Sequence, residues 1–248
     1  MSRFQYFHAG AMLVAALLAS CSPAAEAPTA SQTAPSAADE GAPAALQPEG
    51  DGEETNLDVW LERLEVNSRE LFSARNAVVA AAGLKEGDFI ADVGAGTGLY
   101  TLLFAEQVGS QGRVFAEDIE PLFLDLINRR AADLLLGNVT AVLGREDNVT
   151  LPAALVDVAF IADSYHYFDD REAVMRSIFD AVKAGGRLIM VEYDVTPGEA
   201  RPEGKEYVRF GKSAVIAEVE FVGFALEDEV AVDGLEENYF LIFRKPAE

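Results

Sequence analysis

The stretch FIADVGAGTGLY, residues 89–100, sets Gly94, Gly96 and Gly98 on alternate positions directly after a short apolar run that carries Asp92. Alternating glycines let a backbone turn through positive φ and let a ligand approach the main chain closely. A carboxylate follows on the next β-like run, RVFAEDIEP, where Asp118 stands at the tip with Ile119 after it. Strand alternation turns Glu117 to the opposite face. A tip carboxylate can accept two hydrogen bonds from vicinal hydroxyls such as those of a ribose, a charge-assisted contact. Further on, DSYHYFDD places His166 after another apolar run. Imidazole is the side chain suited to proton transfer near neutrality. Two readings of His166 stand side by side, a general base and a histidine packed among Tyr165, Tyr167 and Phe168.

These residues need a frame that brings strand tips together. The runs 89–93, 113–118, 140–144, 156–162 and 187–193 read as strands, and Leu99–Val108, Pro121–Leu136 and Asp170–Val182 read as helices between them. Strands alternating with helices predict a parallel sheet covered on both faces. Ahead of them, helical spacing at Trp60, Leu64, Leu71 and Val78 ends at Gly83. Arg69, Glu70 and Arg75 in that segment could close over a ligand, though such charges more often form a solvated face. After a helix at about 213–222, ALEDEVAV and YFLIFRK form a hairpin that sets an antiparallel strand on the sheet edge. Ligands of such open sheets bind at the carboxyl ends of the strands, where strand order reverses. The glycine run occupies that place.

The glycine spacing narrows the ligand. A dinucleotide fingerprint needs G-x-G-x-x-G; counted from Gly94, Gly96 fits but the third position falls on Leu99. A P-loop fails for want of Gly-Lys-Ser/Thr. A nicotinamide oxidoreductase is therefore disfavoured. The pattern Asp92-Val93-Gly94-Ala95-Gly96-Thr97-Gly98 instead resembles the first motif of class I S-adenosylmethionine-dependent methyltransferases. The resemblance continues in motif order over residues 60–246. VKAGGRLIMVE is similar to that family's V-L-K-P-G-G-R-L entry, with Ala184 in place of proline, and DSYHYF is similar to D-x-Y-H-H-F, with Tyr167 in place of the second histidine.

The resemblance implies a Rossmann-like α/β fold, a doubly wound seven-stranded sheet that is mostly parallel with one antiparallel edge strand. It implies S-adenosylmethionine as cofactor, held by Asp92, Gly94, Gly96, Gly98, Asp118, Ile119 and Asp163. It also places an acidic residue near the adenine amino group, for which Glu146 and Asp147 are both available in GREDN. His166 is the candidate catalytic residue. The acceptor is expected to be a small molecule: the chain has no Asn/Asp-Pro-Pro-aromatic motif for amino-group methylation of nucleobases, and no cysteine in the globular part for a covalent pyrimidine mechanism. The alternative is a binding protein of the cell envelope that keeps the cofactor fold without turnover.

Composition supports these exclusions. A formal charge of −23 opposes phosphate backbones, so nucleic acid is not an expected partner. With one cysteine and two histidines well apart in sequence, no metal site is expected. Residues 1–20 have the order of a secretory signal, Arg3 followed by the apolar run AMLVAALLA and small residues. Leu18-Ala19-Ser20-Cys21 resembles the lipobox of bacterial lipoproteins, which implies a lipidated Cys21 as the sole membrane contact and a lipid-anchored place in the cell envelope; a cytoplasmic protein is the alternative. Residues 21–54, rich in Ala, Pro, Ser and acid, read as a disordered tether, and 55–248 as the methyltransferase domain.

Overall fold

In the computed structural model, residues 57–194 and 210–247 are described. The signal, Cys21 and the tether read from the sequence lie outside them. The sheet has seven strands: β1 (Phe89–Val93), β2 (Arg113–Asp118), β3 (Val139–Leu143), β4 (Val156–Ala162), β5 (Val182–Tyr193), β6 (Ala225–Glu229) and β7 (Asn238–Arg244). Their order is β3-β2-β1-β4-β5-β7-β6. β1 pairs in parallel with both β2 and β4, so the order reverses beside β1. β7 runs antiparallel to β5 and to β6, and β6 forms the edge. This is the expected Rossmann-like, mostly parallel sheet; the reversed strand sits one place inside the edge.

The helices are α1 (Leu57–Leu64), α2 (Glu70–Ser73), α3 (Arg75–Ala82), α4 (Leu99–Val108), α5 (Pro121–Asp133), α6 (Arg171–Ala181) and α7 (Lys212–Val222). Strand alternation divides the core. Ile90, Val114, Val158, Phe160 and Ile189 join Val78, Tyr100 and Phe104 on one face. Ala91, Ala159, Ile161, Leu188 and Met190 join Met175, Ile178 and Val219 on the other. Helix starts are fixed locally. Glu120 caps α5 through Leu122 N, with Pro121 at its first position, and Asp170 caps α6 through Ala173 N. Gly83 ends α3 in the left-handed conformation.

The remaining differences from the sequence reading are at glycines and turn residues. The N-terminal helical spacing is broken around Asn67-Ser68, residues that favour turns. β3 starts and ends one residue earlier than read, and β5 begins at Val182 rather than Arg187. Residues 183–186 bulge between two paired stretches, and Gly185-Gly186 is tied back to Lys245. The register shifts between Val156 and Val158, and Gly185 N donates to Lys245 O at 3.0 Å.

Candidate cofactor and active site

The glycine loop leaves β1 at the reversal of strand order. Gly94, Gly96 and Gly98 all have positive φ, 67°, 53° and 80°, so the alternate glycines answer a backbone demand. Two of them also have no room for a side chain: a Cβ on Gly94 would stand 2.6 Å from Ser164 Oγ, and one on Gly98 would stand 2.6 Å from Ile127 Cγ1. A Cβ on Gly96 would meet only Leu64 Cδ1, at 3.8 Å. Leu64 ends α1, so that helix reaches over the loop. Arg130 on α5 holds it there, pairing with Glu65 and donating to Thr97 O at 2.8 Å.

Three buried carboxylates lie against the loop. Asp92 accepts from Thr101 Oγ1 at 2.5 Å. Burial pushes its carboxyl up to about 7, and Asp118 adds to the shift. Asp118 accepts from Gly96 N at 2.8 Å through Oδ2 and from Glu120 N at 2.9 Å through Oδ1; burial raises its proton affinity against those donors. Glu117, set aside by strand alternation, is not remote. Its Oε2 accepts from Gly94 N at 3.4 Å, and burial followed by Asp118 pushes it up to about 8. Beside Asp118 opens a cleft of about 560 Å³, lined by Ile119, the loop 144–147, Asp169 and Asp170. Ile119 presents its side chain to solvent there, and Glu146 and Asp147 are both exposed. The structure therefore brings Asp92, the three glycines and Asp118 to one loop, and Ile119, Glu146 and Asp147 to the adjoining cleft.

Asp163 and His166 belong to a second group, after β4. Asp163 has φ 52° and accepts from Arg69 Nη2 at 2.6 Å. His166 Nδ1 lies 3.0 Å from Glu192 Oε2 and 4.0 Å from Asp163 Oδ1. Glu192, at the end of β5, is fixed by Ser164 N and Tyr165 N, which donate to its Oε1 at 2.9 and 2.8 Å. The imidazole side chain is 4% exposed and lies 4.0 Å, centroid to centroid, from the Tyr167 ring. Burial and then Asp163 push the Tyr167 phenol well above its usual range.

Two sequence expectations change here. Arg69 and Glu70 are not a solvated face. Arg69 binds Asp163, and Glu70 accepts from Glu236 N, Glu237 N and Asn238 Nδ2, tying α2 to the start of β7. Glu192 was not among the expected site residues, because a carboxylate at the end of an apolar run carries no local motif. Asp163, His166 and Glu192 also bring three possible ligand atoms within 4.8 Å of one another, a cluster that counting histidines and cysteines does not foresee. Arg69 pairs with Asp163 at the edge of this cluster.

Comparison with known proteins agrees with this geometry. Residues 90–186 match the model of a family described as a methyltransferase domain. The ubiquinone/menaquinone biosynthesis C-methyltransferase UbiE of Pseudoalteromonas translucida is 26% identical over 137 residues, 55% of this chain and 55% of the relative. The chain thus spans about half the length of that curated relative. A SAM-dependent methyltransferase from Aquifex aeolicus shares the fold, with a TM-score of 0.65 at 24% identity over 75% of this chain and 96% of that one. So does a possible exported protein from Bordetella parapertussis, with a TM-score of 0.55 at 20% identity over 70% of this chain and 66% of that one. The domain match falls on the segment from β1 to Gly186 that carries the glycine loop, and the solved structures share the fold.

Proposed function

We propose that this chain transfers the methyl group of S-adenosylmethionine to a small-molecule acceptor. The observation that carries the reading is the positive-φ glycine loop at the strand-order reversal, with Asp118 on Gly96 N beside an open cleft. The bare backbone at Gly96 and the tip carboxylate of Asp118 fit the ligand's main-chain-like portion and its ribose hydroxyls. Ile119 fits an adenine face, and Glu146 or Asp147 its amino group. When bound, the cofactor supplies an electrophilic methyl group on a sulfonium.

The residues of the chain then have two tasks. The first is alignment, which accounts for much of the acceleration of an in-line displacement. Arg130, Glu65 and Thr97 keep α1 over the loop, and Gly98 lets α4 begin against Ile127. The second is handling the acceptor's proton. Glu192 is locked by two backbone N–H groups and turns His166 by its Nδ1, which supports a reading in which Nε2 is the base. Arg69 compensates the charge of Asp163 nearby.

The place of action in this proposal is the cell envelope. The reading rests on Leu18-Ala19-Ser20-Cys21, and one fold neighbour is itself described as a possible exported protein. Among the described residues no helix is long and apolar enough to cross a membrane, and the proposed anchor is lipid on Cys21. Labelled palmitate should enter the wild-type protein and not Cys21→Ala; a full-length, unlabelled protein in the cytosol would overturn this part.

Activity is tested by incubating the full-length protein with methyl-labelled S-adenosylmethionine and a panel of small oxygen, nitrogen and carbon acceptors. The carbon arm follows from the C-methyltransferase relative. Label recovered in a small product, and reduced in His166→Ala without loss of cofactor affinity, is the expected result. Binding of S-adenosylhomocysteine with no labelled product across the panel would favour the envelope binding protein instead.

A further inference from the structure

β2 ends in two carboxylates, and the function above gives a role only to Asp118. Glu117 is 4% exposed inside a sheet whose other buried positions are mostly apolar. It stands between both loops that line the candidate cofactor site. Towards the glycine loop, its Oε2 accepts from Gly94 N and its backbone O accepts from Ala95 N at 2.9 Å. Towards the loop after β3, its Oε1 fills the space beside Gly144 so closely that a Cβ at 144 would lie 1.6 Å from it. Residue 144 therefore has to be glycine for Glu117 to sit where it does.

We propose that Glu117 is the residue by which this cradle distinguishes a cationic ligand from its neutral counterpart, holding the sulfonium S-adenosylmethionine more tightly than the thioether S-adenosylhomocysteine. The identity of the ligand rests on the function proposed above. The charge selectivity rests on the geometry of the cluster. Asp92, Glu117 and Asp118 take their hydrogen bonds from uncharged donors, namely the Thr101 hydroxyl and the backbone N–H groups of Gly94, Gly96 and Glu120. The charged groups on the surrounding elements are Asp92 on β1, Asp118 beside it on β2, Glu120 at the start of α5, Arg130 of α5 at Thr97 O, and Arg145, Glu146 and Asp147 after β3. Arg130 is occupied by Glu65. A buried carboxylate ionised in such company favours a ligand that brings a positive charge.

Burial pushes Glu117 to about 8 and Asp92 to about 7, so the negative charge of the cluster grows across the neutral range. The two ligands share the same amino and carboxylate groups and differ in one methyl group and the sulfonium charge it creates, so the change of their affinity ratio with pH reports the charge.

The test is calorimetric titration of the full-length protein with each ligand at about pH 6 and about pH 9, values that bracket an acid with a pKa near 8. In the wild type the preference for S-adenosylmethionine should grow about tenfold between the two pH values, and in Glu117→Gln by no more than about threefold, the part that Asp92 contributes. Glu117→Asp, which keeps the charge on a shorter stem, should retain part of the rise; it also serves if the glutamine variant melts without cooperativity. A wild-type ratio that does not change with pH, or a full rise retained in Glu117→Gln, would overturn the inference while leaving the function standing. Failure of both ligands to bind the wild type at either pH would overturn the function and this inference with it.

Discussion

Replacing Asp92 by asparagine should make the ligand-free protein more stable, and increasingly so as pH rises. Asp92 is 4% exposed on a central strand, with Thr101 Oγ1 as a neutral partner at 2.5 Å. Burial raises its carboxyl from 3.8 to about 7 in the folded state. A folded-state value above the unfolded one means that the native state holds the proton more tightly, so stability is lost as pH rises from about 4 and the loss levels off above about 7. At 1.36 kcal/mol per unit, the ionisation cost approaches about 4 kcal/mol at pH 8 and is about 2 kcal/mol at pH 5. Asparagine keeps the shape and an oxygen for Thr101 but cannot ionise. Urea denaturation followed by circular dichroism should show Asp92→Asn gaining over the wild type by about 2 kcal/mol more at pH 8 than at pH 5. A gain independent of pH, or a loss at pH 8, would refute the assignment of a buried, uncompensated carboxyl.

Other substitutions probe the frame around the loop. Gly98→Ala combines a φ of 80° with a Cβ 2.6 Å from Ile127, and thermal melting should show a loss of about 2–4 kcal/mol. Arg130→Ala releases α1 from Thr97 O and leaves Glu65 without its guanidinium; limited proteolysis should cut within 57–69 faster, with a stability loss of about 1–2 kcal/mol. Glu70→Ala removes the acceptor for two backbone N–H groups and Asn238 Nδ2, and hydrogen exchange at 236–238 should accelerate with little change elsewhere.

How much was legible differs from residue to residue. β1, β2, β4 and α4 coincide with the runs read from the sequence, since each is a short apolar run bounded by glycine or charge. The glycine loop was legible because its demand is local: three positive-φ positions in five residues can be written only with glycines at low cost. The extension of β5 back to Val182 was not, since Gly185-Gly186 signals a turn while long-range pairing with Lys245 holds the strand. The same limit applies to Glu192, Arg69 and Glu117. Glu192 meets His166 across 26 positions and Arg69 meets Asp163 across 94. Strand alternation put Glu117 on the face away from Asp118, but it says nothing of a carboxylate long enough to reach back to Gly94 N. Pairings made by tertiary packing leave no spacing to read.

The central claim is that the loop from Asp92 to Gly98 and the carboxylate of Asp118 hold S-adenosylmethionine. It is tested most directly by titrating the full-length protein with S-adenosylhomocysteine and with NAD, in the wild type and in Asp118→Ala. Expected are saturable binding of S-adenosylhomocysteine, none of NAD, and a loss in Asp118→Ala of about 2–4 kcal/mol, thirty- to a thousandfold in Kd, with the fold retained. Binding of NAD in preference, or unchanged affinity for S-adenosylhomocysteine in Asp118→Ala, would contradict it.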